Sequence, residues 1–277
     1  DKQRERRHAN VFRTGLQGLN ERILKGGFMR GEFIGFCALS HNYKSGILMD
    51  LARWFCVHNS PGIPTGRIPT ILFISLENEI YENTMSWFRA AYTNAYQREP
   101  DDLTDDEIID FVSDVYSKKG FTLQVHRRIG EEFGFDDFKE LVDKLENEGC
   151  VILGVLIDYI QLMKLDEKLQ HAKAMQTLFG QFRNWGNTTK TAVATGVQLN
   201  GEAANIADSG VAYVVKRFGI SHIAESRGIF RELDCVLFMH IEKSTTGMYY
   251  LTFNLKKRRY LQQAEETSIA YRFSTWG

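Results

Sequence analysis

From residue 33 onward the chain alternates short, wholly apolar runs with longer stretches whose apolar residues recur at helical spacing. Phe33–Ala38 reads as a strand, and Lys44–His58 as an amphipathic helix with Ile47, Leu48, Leu51 and Phe55 on one face. A loop rich in turn formers, from Pro61 to Pro69, precedes a second strand over Thr70–Leu76. A long helix is expected from Asn78 to about Tyr96. The next has a clear start: Thr104 can cap it and Glu107 completes a capping box. Ile108, Phe111, Val112 and Val115 form its apolar stripe, and Gly120 ends it. Phe121–Val125 is a short strand. Asp136 opens a helix with Phe138, Leu141 and Leu145 inward, closed by Gly149. Then follow strand Val151–Ile157, helix Lys168–Trp185 and strand Thr191–Val197. The stretch Asn200–Gly219 shows no period. The end changes style, with strands at Cys235–His240, Met248–Lys256 and Ser268–Phe273 joined by short turns. Strands alternating with helices predict an α/β fold: a mostly parallel central sheet flanked by helices, with antiparallel strands at the C-terminal end.

The highly charged start, residues 1–11, reads as a linker or arm, and residues 12–277 as one unit without internal repeats. The chain opens without Met, as a piece of a longer protein would. An apolar fraction of 43% and a charged fraction of 25% are those of an ordinary globular protein. A net charge of −1 leaves no global field to draw the chain to nucleic acid, so such contacts must come from a local patch or from symmetry that gathers patches. Cys37, Cys56, Cys150 and Cys235 are far apart and form no C-x-x-C pair, which predicts buried thiols in a reducing compartment. No secretory leader pattern and no membrane-length apolar run are present. The expectation is a soluble, cytoplasmic protein.

The candidate chemistry gathers at strand ends. Asp158 closes the apolar run Val155-Leu156-Ile157, and acids at the carboxyl end of buried strands face the ligand crevice of α/β sheets. After the first strand comes Ser40-His41-Asn42-Tyr43-Lys44-Ser45-Gly46, a phosphate-loop spacing with both consensus glycines replaced. There, backbone N–H groups and Lys44 would hold phosphate and the Ser45 hydroxyl would bind Mg²⁺. Lys44-Ser45 alone fits an ordinary helix start equally well; the strand before it and the helix after it favour the phosphate loop. Tyr43 is expected in a backbone conformation that suits glycine better. Asp158 has the form of a metal-holding acid. Glu77, ending the second strand, could activate water as a general base, or simply favour a helix start as an acid. Gln198 ends the strand after that and could sense a γ-phosphate. Lys256-Lys257-Arg258-Arg259 is either a solvated charge run or a source of cations that reach a neighbouring subunit's phosphate.

These pieces, in this order, resemble DnaB-type replicative DNA helicases. The resemblance rests on Leu19 with Gly26-Gly27-Phe28, the phosphate-loop position, Ser75-Leu76-Glu77, Ile157-Asp158-Tyr159-Ile160-Gln161-Leu162-Met163, Gln198-Leu199, Ser221-His222-Ile223-Ala224-Glu225-Ser226 and Lys256-Lys257-Arg258. It covers about residues 12–273 and matches the C-terminal RecA-like motor domain, with the Asp-Tyr-Ile-Gln-Leu-Met run the most specific part. It implies a RecA-like P-loop core, ATP and Mg²⁺ as cofactors, and a homo-hexamer that translocates 5′→3′ on single-stranded DNA and unwinds duplex during replication. Primase or loader partners would act through a region outside this chain. By position, Lys44 and Ser45 bind phosphate and metal, Glu77 is the base, Asp158 the metal acid and Gln198 the sensor. Arg258 would be an arginine finger with Lys256 as companion. Arg217, Glu225, Ser226, Arg227 and Gly228 would contact DNA. The Ala224-Glu225-Ser226 variant looks closer to bacteriophage relatives than to the bacterial enzymes, which implies a bacterial host cytoplasm. Two departures stand out: the phosphate loop lacks its glycines, and Ala224 replaces an arginine of the bacterial relatives, with Arg227 close by. Two other readings share the core: a non-hydrolysing ring subunit that binds DNA or a partner, and a RecA-like recombinase-type ATPase.

Overall fold

The computed structural model describes residues 10–63, 66–76, 80–224, 227–259 and 266–273. A two-stranded antiparallel ribbon, β1 (Val11–Phe12) with β2 (Phe28–Met29), leads into the main sheet. The ribbon is held from inside: Phe12 stacks on Phe55 at 4.4 Å between ring centroids, and both rings are fully buried.

The main sheet has eight strands, in spatial order β10-β9-β8-β3-β7-β6-β4-β5. They are β3 (Phe33–Ala38), β4 (Ile68–Ser75), β5 (Thr122–Arg127), β6 (Cys150–Asp158), β7 (Ala192–Gln198), β8 (Cys235–Lys243), β9 (Tyr249–Arg258) and β10 (Ser268–Phe273). Pairings from β8 through β5 are all parallel; β9 and β10 add antiparallel ladders at one edge. This is the expected α/β class. The strands are apolar on both faces because both faces are covered. One core, including Ile34, Phe36, Leu237 and Phe253, lies under α1 (Lys44–Val57), α2 (Ile80–Tyr96) and α3 (Asp105–Ser117). The other, including Phe33, Val155, Val193 and Phe238, lies under α4 (Phe135–Asn147) and α5 (His171–Thr189). Truncating a buried ring such as Phe36 would cost about 3–5 kcal/mol.

Local signals act as the sequence implies. Thr104 and Glu107 form both arms of the capping box on α3, and Gly120 and Gly149 follow α3 and α4 with φ of 76° and 94°, where a side chain would be strained. The strand over Ser268–Phe273 has the expected bounds. The region without a period holds two short helices, α6 (Gly201–Asp208), capped by Asn200, and α7 (Val214–Arg217). A further one, α8 (Arg227–Glu232), precedes β8. Elements this short bury too few residues to print a period. All four cysteines are buried and unbridged, and burial pushes the thiols of Cys37, Cys56 and Cys235 far up, so they behave as small apolar groups. Among the described residues no helix is long and apolar enough to cross a membrane.

Candidate nucleotide site

The parallel strands bring the candidate groups to one end of the sheet. Gln198 on β7 lies between the β3 end, which carries the loop, and the β6 end, which carries Asp158. Neighbouring strands are about 4.8 Å apart, so loop and acid are separated by roughly 10 Å across the sheet. β4 pairs with β6 in a register that sets Ser75 beside Asp158. Glu77 follows two residues on and lies outside the described residues.

The loop Ser40–Tyr43 has a phosphate-loop backbone without glycine. His41 and Tyr43 take φ values of 59° and 63°, both in the left-handed region. The expectation for Tyr43 therefore holds, and His41 joins it. Each such residue costs about 1–3 kcal/mol unless its surroundings enforce it. No side chain caps the start of α1, so the first N–H groups of the helix point into the loop, the arrangement that receives an anion. Asn42 ties the loop to β8, accepting from Ile241 N at 2.9 Å and donating to Ser40 O at 3.1 Å.

Lys44 is 8% exposed; its ammonium donates to Leu39 O at 3.0 Å and to Gln198 Oε1 at 2.7 Å. The Gln198 amide donates in turn to Ser40 Oγ at 3.3 Å and Leu199 O at 3.2 Å. Its backbone is equally engaged. Gln198 N donates to Gln161 Oε1 at 2.8 Å, and Gln198 O accepts from Ala224 N at 3.0 Å. Gln198 thus connects the loop, the turn after Asp158 and the segment that leads to the candidate DNA loop. Sequence reasoning missed Gln161 as a separate contributor, although it stands inside the Asp-Tyr-Ile-Gln-Leu-Met run; its amide at the end of a short turn was the only signal. Thr195, also not anticipated, bridges β7 to that turn through Ile157 O at 2.9 Å and Ile160 N at 3.1 Å.

Asp158 is fully buried at the end of β6. Its carboxylate and the Ser45 hydroxyl in the first turn of α1 are hard oxygen donors, the kind Mg²⁺ takes. No group of three or more His, Cys, Asp or Glu side chains that could hold a metal occurs among the described residues. That donor set fits an ion held mainly by substrate phosphates and water, with one or two protein ligands.

The basic run at the end of β9 departs from expectation. Arg258 is 4% exposed and pairs with fully buried Glu32 at 3.1 Å, while also donating to Gly27 O at 2.6 Å and to Leu24 O. Desolvation raises the Glu32 carboxyl pKa despite the guanidinium beside it. The guanidinium is therefore committed to its own subunit's interior, not displayed as a finger. The cause is a β-bulge: Val236 pairs with Lys257 but Leu237 pairs with Leu255, so Lys256 is the extra residue. The bulge breaks the alternation that would have put Lys256 and Arg258 on one face. Lys256 and Lys257 both reach the α7–α8 side, donating to Lys216 O at 3.2 Å and Phe230 O at 2.7 Å. Partial burial lowers the pKa of both amines. Arg259 donates to Arg231 O at 2.7 Å and lies 3.4 Å from Asp234.

Of the candidate DNA contacts, Arg217 is exposed at the end of α7, next to Lys216, whose ammonium sits 4.8 Å above the Tyr213 ring. Arg227 and Gly228 open α8. Glu225 and Ser226 lie outside the described residues.

The profile of the divergent DnaB-like ATPase family matches residues 1–277. The chain belongs to this family. The fold agrees. The solved ATPase domain of a DnaB-like helicase is similar with a TM-score of 0.72 at 15% identity, over 98% of this chain and 92% of that one. A DnaB-like replicative helicase, described together with its interactions with primase, gives 0.72 at 14% identity over 99% of this chain. The present chain spans 64% of that helicase's length. A search of curated proteins found no match. Within a DnaB-like ATPase, the glycine-free loop and the inward Arg258 are the two places where this member departs from what its motifs imply.

Proposed function

We propose that the chain is an ATP-driven motor of the DnaB type, with residues 12–277 as the motor and residues 1–11 as an arm. ATP with Mg²⁺ binds at the β3–α1 loop. Lys44 and the N–H groups at the start of α1 hold the phosphates, and Ser45 and Asp158 hold the ion, which neutralises charge on the transferring phosphoryl group. Glu77 orients and deprotonates the attacking water. Six copies form a ring around single-stranded DNA, translocate 5′→3′ and unwind duplex. Arg217, Glu225, Ser226, Arg227 and Gly228 face the strand, and a primase or loader engages a region outside this chain.

The observation that carries this reading is the double engagement of Gln198. Its side chain holds Lys44 at 2.7 Å while its backbone holds Ala224 at 3.0 Å, at the entrance to the candidate DNA loop. A phosphate that recruits Lys44 must rearrange the amide, and the change passes to that loop without intermediates. A scaffold has no use for such a link.

A non-hydrolysing ring subunit is the second reading, and the inward Arg258 favours it, because that residue does not stand ready to complete a neighbour's site. One measurement separates the two: ATP turnover with and without single-stranded DNA, at increasing protein concentration. A motor shows DNA stimulation and a rate per subunit that rises with concentration as rings form. Nucleotide binding without turnover supports the scaffold.

A further inference from the structure

A phosphate loop uses glycine because the backbone must turn left-handed close to the phosphates. Here Tyr43 holds that conformation, with φ of 63° and ψ of 26°, and its side chain is braced on three sides. The hydroxyl donates to Asp50 Oδ2 at 2.9 Å, two turns along α1, and Asp50 Oδ1 accepts from Arg53 at 2.9 Å. The ring meets Phe273, on the edge strand β10, edge-on at 4.9 Å between centroids. Beneath the ring lies Gly46, where an added Cβ would overlap Cε2, Cδ2 and Cζ of Tyr43. A side chain at 46 therefore cannot coexist with the ring, and the brace leaves the ring no easy way to move. The glycine missing before Lys44 has a counterpart three residues later, where it makes room for Tyr43.

We propose that Tyr43 is a positioning residue: its ring, seated on Gly46 and fixed by Asp50 and Phe273, enforces the backbone turn that glycine permits elsewhere, and so preorganises the loop for a nucleoside triphosphate. This rests on the nucleotide-binding reading above. It also makes the C-terminal edge strand part of the loop's support, so that substitution of Phe273 reaches the site without touching ligand.

The test uses the chain with Tyr43→Phe, Tyr43→Ala, Tyr43→Gly, Gly46→Ala and the double change Tyr43→Gly/Gly46→Ala. Each is titrated with a fluorescent ribose-labelled ATP in Mg²⁺ and melted without ligand. Tyr43→Ala keeps the strained backbone and removes the brace, so it weakens binding more than Tyr43→Gly, which removes both. Tyr43→Phe loses only the bond to Asp50 and weakens binding about 10-fold with little change in Tm. Gly46→Ala alone lowers Tm by about 5 °C or more, and the same change on the Tyr43→Gly background costs nothing, the non-additivity of residues in contact. Equal Gly46→Ala penalties on both backgrounds overturn the brace. Wild-type affinity in Tyr43→Ala overturns the positioning role. If the wild-type chain itself gives a flat titration, the nucleotide reading fails, and the positioning role fails with it; the two melting penalties still decide whether the brace exists.

Discussion

The two basic strand ends of this protein behave differently. Lys44 follows β3 and starts a helix; Arg258 ends β9 in an antiparallel ladder. Both are largely buried, yet Lys44 stays at the carboxyl end of the parallel sheet, bonded to Gln198, while Arg258 turns inward to Glu32. The direction of a side chain in the first turn of a helix follows from helix geometry and survives small changes nearby. The direction of a strand side chain depends on register, and one extra residue, Lys256, is enough to reverse it. Motif spacing is thus a safer guide at a loop-to-helix junction than along an edge strand.

The comparison breaks most sharply at Arg258. Arg258→Ala leaves Glu32 charged and buried, with an expected loss of about 3–5 kcal/mol in chemical denaturation. Replacing both partners by apolar residues recovers much of that loss. An Arg258→Ala chain of unchanged stability that binds ATP but barely turns it over restores the finger. In that case mixing it with Lys44→Ala subunits rescues activity, because interfaces form with one good loop and one good arginine.

On the Lys44 side, Glu77→Gln is expected to leave ATP affinity nearly unchanged and lower turnover by about 10²-fold or more, the scale of a lost general base. Near-normal turnover removes Glu77 from that role. Gln198→Ala sharpens the link between site and loop. Basal turnover falls modestly, and the stimulation by single-stranded DNA is lost, since no amide connects Lys44 to Ala224. Retained stimulation would mean the signal travels elsewhere.

DNA binding itself is expected to be salt-dependent and only weakly sequence-specific. Arg217→Ala weakens it across all sequences and lowers the salt slope by about one, as for a lost phosphate contact. Binding that is flat between low and high salt removes Arg217 from the interface.

The smallest effect concerns pH. Burial lowers the pKa of His126 and of His240 on β8. In the unfolded chain they titrate near about 6.5. Below that value the unfolded state takes up protons that the folded state does not, so these groups cost stability as pH falls from there toward their folded pKa. Burial raises the carboxyls of Glu32, Asp50 and Asp234, which act in the opposite direction. His240→Gln isolates one contribution: its Tm falls less than that of the wild type between pH 7.5 and pH 5.5. An unchanged slope would show that His240 does not contribute.

Much of this was legible in the chain. The apolar runs, the capping box of Thr104 and Glu107, and Gly120 and Gly149 placed the strands and helices, because burial on both sheet faces and helix-end hydrogen bonding are local demands that residues meet one by one. The spacing around Lys44, Asp158 and Gln198 placed the site, since parallel strands bring their carboxyl ends to one edge. Tertiary structure alone decided three matters. It ordered the strands so that Gln198 sits between loop and acid. It held Tyr43 left-handed through Asp50, Gly46 and Phe273, the last more than two hundred positions away in sequence. And it spent Arg258 on Glu32 through a bulge whose register is fixed only when β8 and β9 pair. Spacing along a chain fixes what neighbours in sequence can do, whereas pairing and packing between distant segments fix which way a side chain finally points.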